Sequence, residues 1–250
     1  MAVVKIRVIL AGATGRMGRE IGRAIAQQPD LTLTAAVALD GHGRDVGEFL
    51  GLGPLGVKIV GRVEEALASA PAEVLVDFTA PDAGGRHALC AARAGVSPVV
   101  GTTGIEPSEL EELEELCLRS RLGAVVVPNF SLGAYLLGRL AEQAVRYLPA
   151  CEIVEMHHQA KRDAPSGTAR RLAQGLGRGG RPVPVHSVRL PGLMAHHWVI
   201  FGGDGETLTI AHDTLSRSCY VPGVLAAVRR VRGLKRMVTD LGEVLDWEPA

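Results

Sequence analysis

Apolar residues run in short continuous stretches through the first half of the chain and alternate with polar ones through much of the second. Over residues 5–128 the β-branched stretches are IRVILAG, LTLTAAVA, VKIV, EVLVDFT, SPVVGTT and GAVVVPN. Between them lie GRMGREIGRAIAQQ, VEEALASA, AGGRHALCAARAG and PSELEELEELCLRS, which carry helical spacing. A strand that is apolar throughout is buried on both faces, and strands that alternate with helices form a parallel sheet. The pattern predicts a Rossmann-type, doubly wound α/β domain, with its ligand site at the carboxyl ends of the strands.

Beyond residue 128 the period changes. A helix is predicted over roughly 132–147, followed by CEIVEMHH, which alternates like a half-buried strand. PVHSVRL, AHHWVIFG and ETLTIAHD follow, with PG and GGDG as turn signals. Strands that follow one another through short turns form an antiparallel or mixed sheet. A smaller α+β domain is therefore expected. The last run, VPGVLAAVRRVRGLKRMVTDLGEVLDW, reads as two helices without strands of their own, packed back on the first domain. The expected division is 1–128 with 216–250, and 129–215.

Composition removes several classes of function. The 250 residues hold 27 basic and 27 acidic side chains, so there is no electrostatic footprint for nucleic acid. Arg229, Arg230, Arg232, Lys235 and Arg236 cluster on a helix-like segment and are expected on a solvated face. No apolar run reaches the roughly 20 residues of a membrane helix, and MAVVKIRVILAG reads as a strand rather than a signal peptide. Cys90, Cys117, Cys151 and Cys219 are scattered, with no CxxC pair. They predict neither zinc nor disulfides, but small buried side chains in a reducing compartment, the cytoplasm.

The first strand ends in AGATGRMG, with Gly12, Gly15 and Gly18 spaced G-x-x-G-x-x-G. Thr14 stands where the dinucleotide fingerprint has its middle glycine. The glycines follow a strand and open a helix, whose free N–H groups and partial positive charge suit a pyrophosphate. Tight strand–helix packing alone would also use such a turn. Asp40 is the acid near the end of the second strand, placed to bind ribose hydroxyls or to shape a turn. Gly101, Thr102 and Thr103 end one later strand, and Pro128, Asn129 and Phe130 the next. Both stand where a nicotinamide could lie.

The densest chemistry is EIVEMHHQAKRDAPSGTARRLAQ, residues 152–174. On a strand His157 and His158 point to opposite faces, and Lys161 returns beside His157 if the loop curls. Pro165 suits a first helical position. The N–H groups of Ser166, Gly167 and Thr168 would then be unpaired, an anion cradle that Gly167 keeps clear. This is a cationic, anion-seeking set suited to a small acidic substrate. Zinc needs three or four convergent ligands, and adjacent histidines diverge. Ser166 has no nucleophile elbow, which argues against a hydrolase. Buried hydrogen-bonded histidines with an ordinary helix cap are the structural alternative.

GATGRMGREI, VGTTG, VPNFS, EMHHQAKRDAPSGTA and VIFGGDGETLTIAHD…SR…VPGVLAAVRRV together resemble the dihydrodipicolinate reductase (4-hydroxy-tetrahydrodipicolinate reductase) family over essentially the whole chain. The resemblance implies a Rossmann domain that the chain leaves and rejoins, and a substrate domain that forms a homotetramer. It implies reduction of 4-hydroxy-tetrahydrodipicolinate by NADH and/or NADPH in diaminopimelate and lysine biosynthesis. His157 would donate the proton, with Lys161 the second catalytic residue, and His158 would bind substrate. Gly167 and Thr168, beside Ser166, would hold a substrate carboxylate. Gly12, Ala13, Thr14, Gly15, Arg16 and Met17, with Gly101, Thr102, Thr103, Val127, Pro128, Asn129 and Phe130, would contact the cofactor.

One stretch departs from the family pattern. Many members carry an acid followed by arginine at the end of the second strand, where this chain has Ala38 and Leu39. Asp40 suits the ribose of NADH and repels a 2′-phosphate, whereas Arg16 or Arg44 could reach one. Both cofactors are expected to work, with NADH preferred or equal. A nucleotide-sensing regulator would explain the glycine loop but not HHQAKRDAPSGT. A semialdehyde-type dehydrogenase would need an activated cysteine, and none of the four stands in such a setting.

Overall fold

The computed structural model describes residues 4–177 and 182–245. Their contacts divide into two compact units, drawn from Met1–Phe130 with Tyr220–Ala250, and from Ser131–Cys219. The divisions fall at 130/131 and 219/220 rather than 128/129 and 215/216. Phe130 stays with the first unit because its ring lies 6.0 Å from that of Phe78 and its carbonyl lies against Gly223.

The first unit runs β1 (Ile6–Ala11), α1 (Arg16–Ala26), β2 (Leu31–Val37), α2 (Val46–Leu50), β3 (Ile59–Val60), α3 (Val63–Ser69), β4 (Val74–Asp77), α4 (Pro81–Arg93), β5 (Ser97–Val100), α5 (Pro107–Ser120) and β6 (Ala124–Val126). The second unit holds α6 (Leu132–Ala144), β7 (Ala150–His157), α7 (Gly167–Leu176), β8 (Val185–Arg189), β9 (Ala195–Gly203) and β10 (Glu206–Thr214). The chain then returns with α8 (Val221–Arg230), β11 (Met237–Val238) and α9 (Leu241–Leu245).

The first sheet is parallel, in the order β11-β6-β5-β4-β1-β2-β3. The order reverses between β1 and β4, the switch point where doubly wound sheets bind ligands. β4, β5 and β6 are buried at every position, as continuous apolar strings require. Ile9, Leu75, Val63 and Ala66 form a core with α3, while Val100, Val126, Leu113 and Cys117 form another with α4 and α5.

The last segment corrects the sequence reading in one way. It contributes a strand, β11, whose Met237 and Val238 pair with Ala124 and Val125 of β6. The basic cluster lies on a solvated face, as expected, and part of it is paired there. Arg229 donates to both carboxylate oxygens of Asp30 at 2.7 and 3.0 Å, Arg232 pairs with Glu73, and Arg236 with Glu243. These cations fasten the returning segment and its neighbours through exposed ion pairs, each of small net worth. The tail beyond residue 245, with Trp247, lies outside the described residues.

In the second unit the sheet order is β10-β9-β7-β8, with β7 parallel to β8 and β9 antiparallel to both its neighbours. Ile153, Val199 and Phe201 on one face pack against Leu137, Ala141, Leu172 and Leu176 of α6 and α7. Val154, Met156, Trp198 and Ile200 alternate onto the opposite face, and Trp198 is 37% exposed.

Candidate active site

β7 ends on the first of the predicted histidines, and the second follows it. His157 lies on the helix-covered face and is buried, whereas His158, just past the strand end, is exposed. Two residues before His157, on the same face, Glu155 is fully buried. The register aligns Ser187 of β8 and His197 of β9 with Glu155, and Arg189 and Ala195 with His157. One patch of sheet thus gathers two histidines, a carboxylate and a guanidinium.

Glu155 is the hub. Its Oε2 lies 2.5 Å from His157 Nδ1, and Arg189 donates to both oxygens, at 2.7 and 3.0 Å. Burial would raise its pKa, but Arg189, Ser187 and His157 outweigh burial and hold it at about 2. For His157, burial pushes the pKa below the ordinary histidine value. Lys161 and Arg189 push the same way, and Glu155 opposes them without offsetting them. His197, edge-on to His157 with centroids 5.3 Å apart, is pushed down to about 4 by burial and by His157. It is therefore neutral at pH 7.

The loop after β7 makes a tight turn. Lys161 N–H donates to the His158 carbonyl at 3.0 Å, and its ammonium pairs with Asp163 Oδ1 at 2.7 Å. The start of α7 differs from the expectation. Pro165 is not its first residue. Ser166 is the N-cap, with φ −63° and ψ 157°, and its Oγ accepts from Ala169 N–H at 3.2 Å. Ser166 N–H is not free either, because it donates to Glu155 Oε1 at 3.2 Å, and Ser166 Oγ lies 3.1 Å from His197 Nε2. Ser166 and His197 thus follow the structural alternative. Gly167 opens the helix at the surface, where an added Cβ would meet nothing nearer than Arg170 Nη2 at 3.9 Å. Internal packing does not demand glycine there.

In the first unit the candidate nucleotide residues all follow carboxyl ends of parallel strands. Gly12 has φ +81°, and a Cβ on it would fall 2.6 Å from the Phe78 carbonyl. Ala13 is buried, Met17 half-buried, and Arg16 is the exposed first residue of α1. Gly15 is the N-cap and supplies no side-chain cap, and no acid occupies the first turn. These N–H groups and the helix dipole fit a pyrophosphate. The Thr14 hydroxyl donates to Asp40 Oδ1, which draws the exposed Asp40 to the glycine loop. Arg44 stacks 4.6 Å from the Phe49 ring centroid and pairs with Glu48 at 2.6 Å.

Thr102 is turned inward, and its hydroxyl donates to Asp77 Oδ1 at 2.7 Å. Asp77 is fully buried and also accepts from the Thr79 hydroxyl and contacts His87 Nδ1, both at 2.8 Å. Burial would raise its pKa, but bonds from His87, Thr102 and Thr79 hold the pKa below the ordinary value. Gly101 lies against the Phe78 ring, so Phe78 ties together Gly12, Gly101 and Phe130. Thr103 and Pro128 are exposed, Asn129 half-buried and Val127 buried, with Val127 N–H donating to the Val100 carbonyl at 3.1 Å.

Comparison with known families finds "Dihydrodipicolinate reductase, N-terminus" over residues 6–130 and "Dihydrodipicolinate reductase, C-terminus" over residues 133–245. The chain belongs to the dihydrodipicolinate reductase family. It is 50% identical to the 4-hydroxy-tetrahydrodipicolinate reductase of Symbiobacterium thermophilum over 96% of this chain and 97% of that one. It is 46% identical to that of Moorella thermoacetica over 98% and 100%. Its fold matches a dipicolinate-bound dihydrodipicolinate reductase from Paenisporosarcina sp. TG-14, with TM-score 0.82 and 32% identity over 96% of this chain and 99% of that one. At 13% identity and TM-score 0.71 it shares only a fold with an amine dehydrogenase from Mycobacterium smegmatis, over 96% of each chain.

Several residues that hold the site together are not marked by the local sequence pattern. Glu155 was legible, since E-x-H on a strand puts both side chains on one face. Arg189, His197 and Asp77 depend on pairings far apart in sequence, and no local pattern marks them.

Proposed function

We propose that the chain reduces 4-hydroxy-tetrahydrodipicolinate, by way of dihydrodipicolinate, to tetrahydrodipicolinate in diaminopimelate and lysine biosynthesis, with NADH or NADPH as reductant. The reading is carried by one observation: the His157–Glu155 pair and the open end of α7 are joined through Ser166 N–H. An acid and an anion cradle on a common support suit a small dicarboxylate that gains a proton. Gly12, Ala13, Thr14, Gly15, Arg16, Met17, Gly101, Thr102, Thr103, Val127, Pro128, Asn129 and Phe130 are the residues that would hold the nucleotide. The bound dihydronicotinamide supplies the hydride.

Reduction of a conjugated C=C–C=N system leaves electron density that a proton must quench. His157, with Nδ1 held by Glu155, is the proton donor. Lys161, as an ammonium, stabilises developing negative charge. Gly167 and Thr168 hold a substrate carboxylate at the start of α7, and His158 contacts the substrate from the exposed side. The cysteines do not suit an acyl-enzyme route. Burial raises the thiol pKa of Cys90, Cys151 and Cys219, and that of Cys117 to about 11. Nicotinamide oxidation with freshly generated substrate tests the reading. Oxidation that depends on both enzyme and substrate is expected, and a rate equal to the enzyme-free control would refute it.

Asp40, held beside the glycine loop by Thr14, is placed to accept from ribose hydroxyls. Arg44, engaged with Phe49 and Glu48, is drawn away from a 2′-phosphate. Both cofactors are therefore expected to support turnover, with kcat/KM for NADH equal or higher, and Asp40→Ala should shift the ratio toward NADPH. An NADPH preference of about tenfold, equivalent to ~1.4 kcal/mol, would contradict this assignment. An unchanged ratio in Asp40→Ala would leave Asp40 a turn residue only.

The open sheet face of Val154, Met156, Trp198 and Ile200, together with the family resemblance, supports a homotetramer built through this sheet. Native mass measurement at micromolar concentration should give the tetramer. A monomer mass would refute it.

A further inference from the structure

We propose that Glu155 is the positioning residue of this site, with one carboxylate oxygen orienting His157 and the other fixing the N-terminus of α7. The proposal rests on the reading of His157 as the proton donor. Oε2 takes His157 Nδ1 at 2.5 Å, and Oε1 takes Ser166 N–H at 3.2 Å. The donor and the anion-facing helix end therefore share one support, and neither shifts without the other.

The chemistry of the pair sets the histidine tautomer. Glu155 is fully buried and paired with Arg189 through two N–H donors, so it is ionised and can only accept. The hydrogen between it and His157 must then sit on Nδ1. Nε2 is left as the nitrogen that carries or releases the transferable proton. Arg189 extends the support to the loop bearing Lys161, because its Nη2 also donates to the Asp163 carbonyl at 2.7 Å and Asp163 Oδ1 holds Lys161. The groups facing His157 are Glu155 on its own strand, Arg189 from β8, His197 from β9 and Lys161 from the loop. Glu155 is the acid among them. Removing its charge leaves a buried cationic surround that disfavours the imidazolium.

Glu155→Gln keeps the shape and loses the charge. The alkaline limb of its kcat/KM profile should move to lower pH by roughly one to three units, the range for a close opposite charge. At neutral pH kcat/KM should fall by about tenfold or more, the factor one unit carries. KM for NADH should stay unchanged, because the nucleotide residues belong to the other unit. Glu155→Asp should restore part of the profile. A Glu155→Gln profile superimposable on wild type, with His157→Gln inactive, would overturn the proposal and leave the donor assignment standing. His157→Gln with near-wild-type turnover would remove the donor assignment itself. If Glu155→Gln does not fold, nitrogen NMR of the His157 ring in the wild-type protein decides. Neutral imidazole protonated at Nδ1 supports the proposal, and protonation at Nε2 overturns it.

Discussion

Alanine at His157 or at Lys161 lowers kcat by about 10²–10⁴-fold in the result we expect, the range for general acid–base groups. His157 is buried against Glu155 and His197 with one ring nitrogen committed, so no neighbouring group can take over its proton at the same place. Water admitted by the truncation is a poorer acid and is not oriented. In its proposed role Lys161, whose ammonium pairs with Asp163 Oδ1, supplies positive charge, and its loss would leave developing negative charge uncompensated. Both residues belong to the second unit, so NADH affinity should hold. Lowered kcat with unchanged NADH affinity distinguishes loss of chemistry from loss of fold. Turnover within about threefold of wild type in both variants would sink both assignments.

Gly18→Ala should abolish nucleotide binding. The added Cβ would fall 1.9 Å from the Gly12 carbonyl oxygen and 2.7 Å from its carbon. Both are backbone atoms of the loop proposed to cradle the pyrophosphate, so no side chain can swing aside. Either α1 moves away from β1 or the loop opens, and in both cases the N–H groups of the first turn lose their aim. Overpacking of this kind costs typically 1–3 kcal/mol of stability. A thermal transition lowered but still cooperative, with NADH binding lost by titration, is the expected pair of results. NADH affinity equal to wild type would show that the close approach of Gly18 to Gly12 has no part in binding.

What was legible in the sequence followed the reach of each signal. The parallel sheet was visible because its strands are apolar on both faces. The second sheet was visible because β7 and β9 alternate. The histidine pair could be placed on opposite faces from period two alone. β11 was hidden because two residues inside a basic run carry no strand pattern, and only pairing with β6 makes them a strand. Pro165 gave the right helix two residues early, since Pro before Ser reads equally as a first helical residue or as the residue before the cap. Ser166 looked free because its partner, Glu155, lies on another element. The Thr102 hydroxyl bond was hidden for the same reason, because its acceptor Asp77 ends a different strand. Local spacing revealed which residues carry chemistry. The pairing of distant strands decided which of them hold one another and which are left to face a ligand.

Hydride transfer to a cyclic dicarboxylate is tested most directly by isotope transfer. NADH deuterated at both C4 positions is supplied with freshly generated 4-hydroxy-tetrahydrodipicolinate, and the tetrahydrodipicolinate formed is weighed by mass spectrometry. One deuterium in each product molecule, in step with NADH consumed, is the expected result. Product formed without deuterium, or NADH consumed without product, would contradict it.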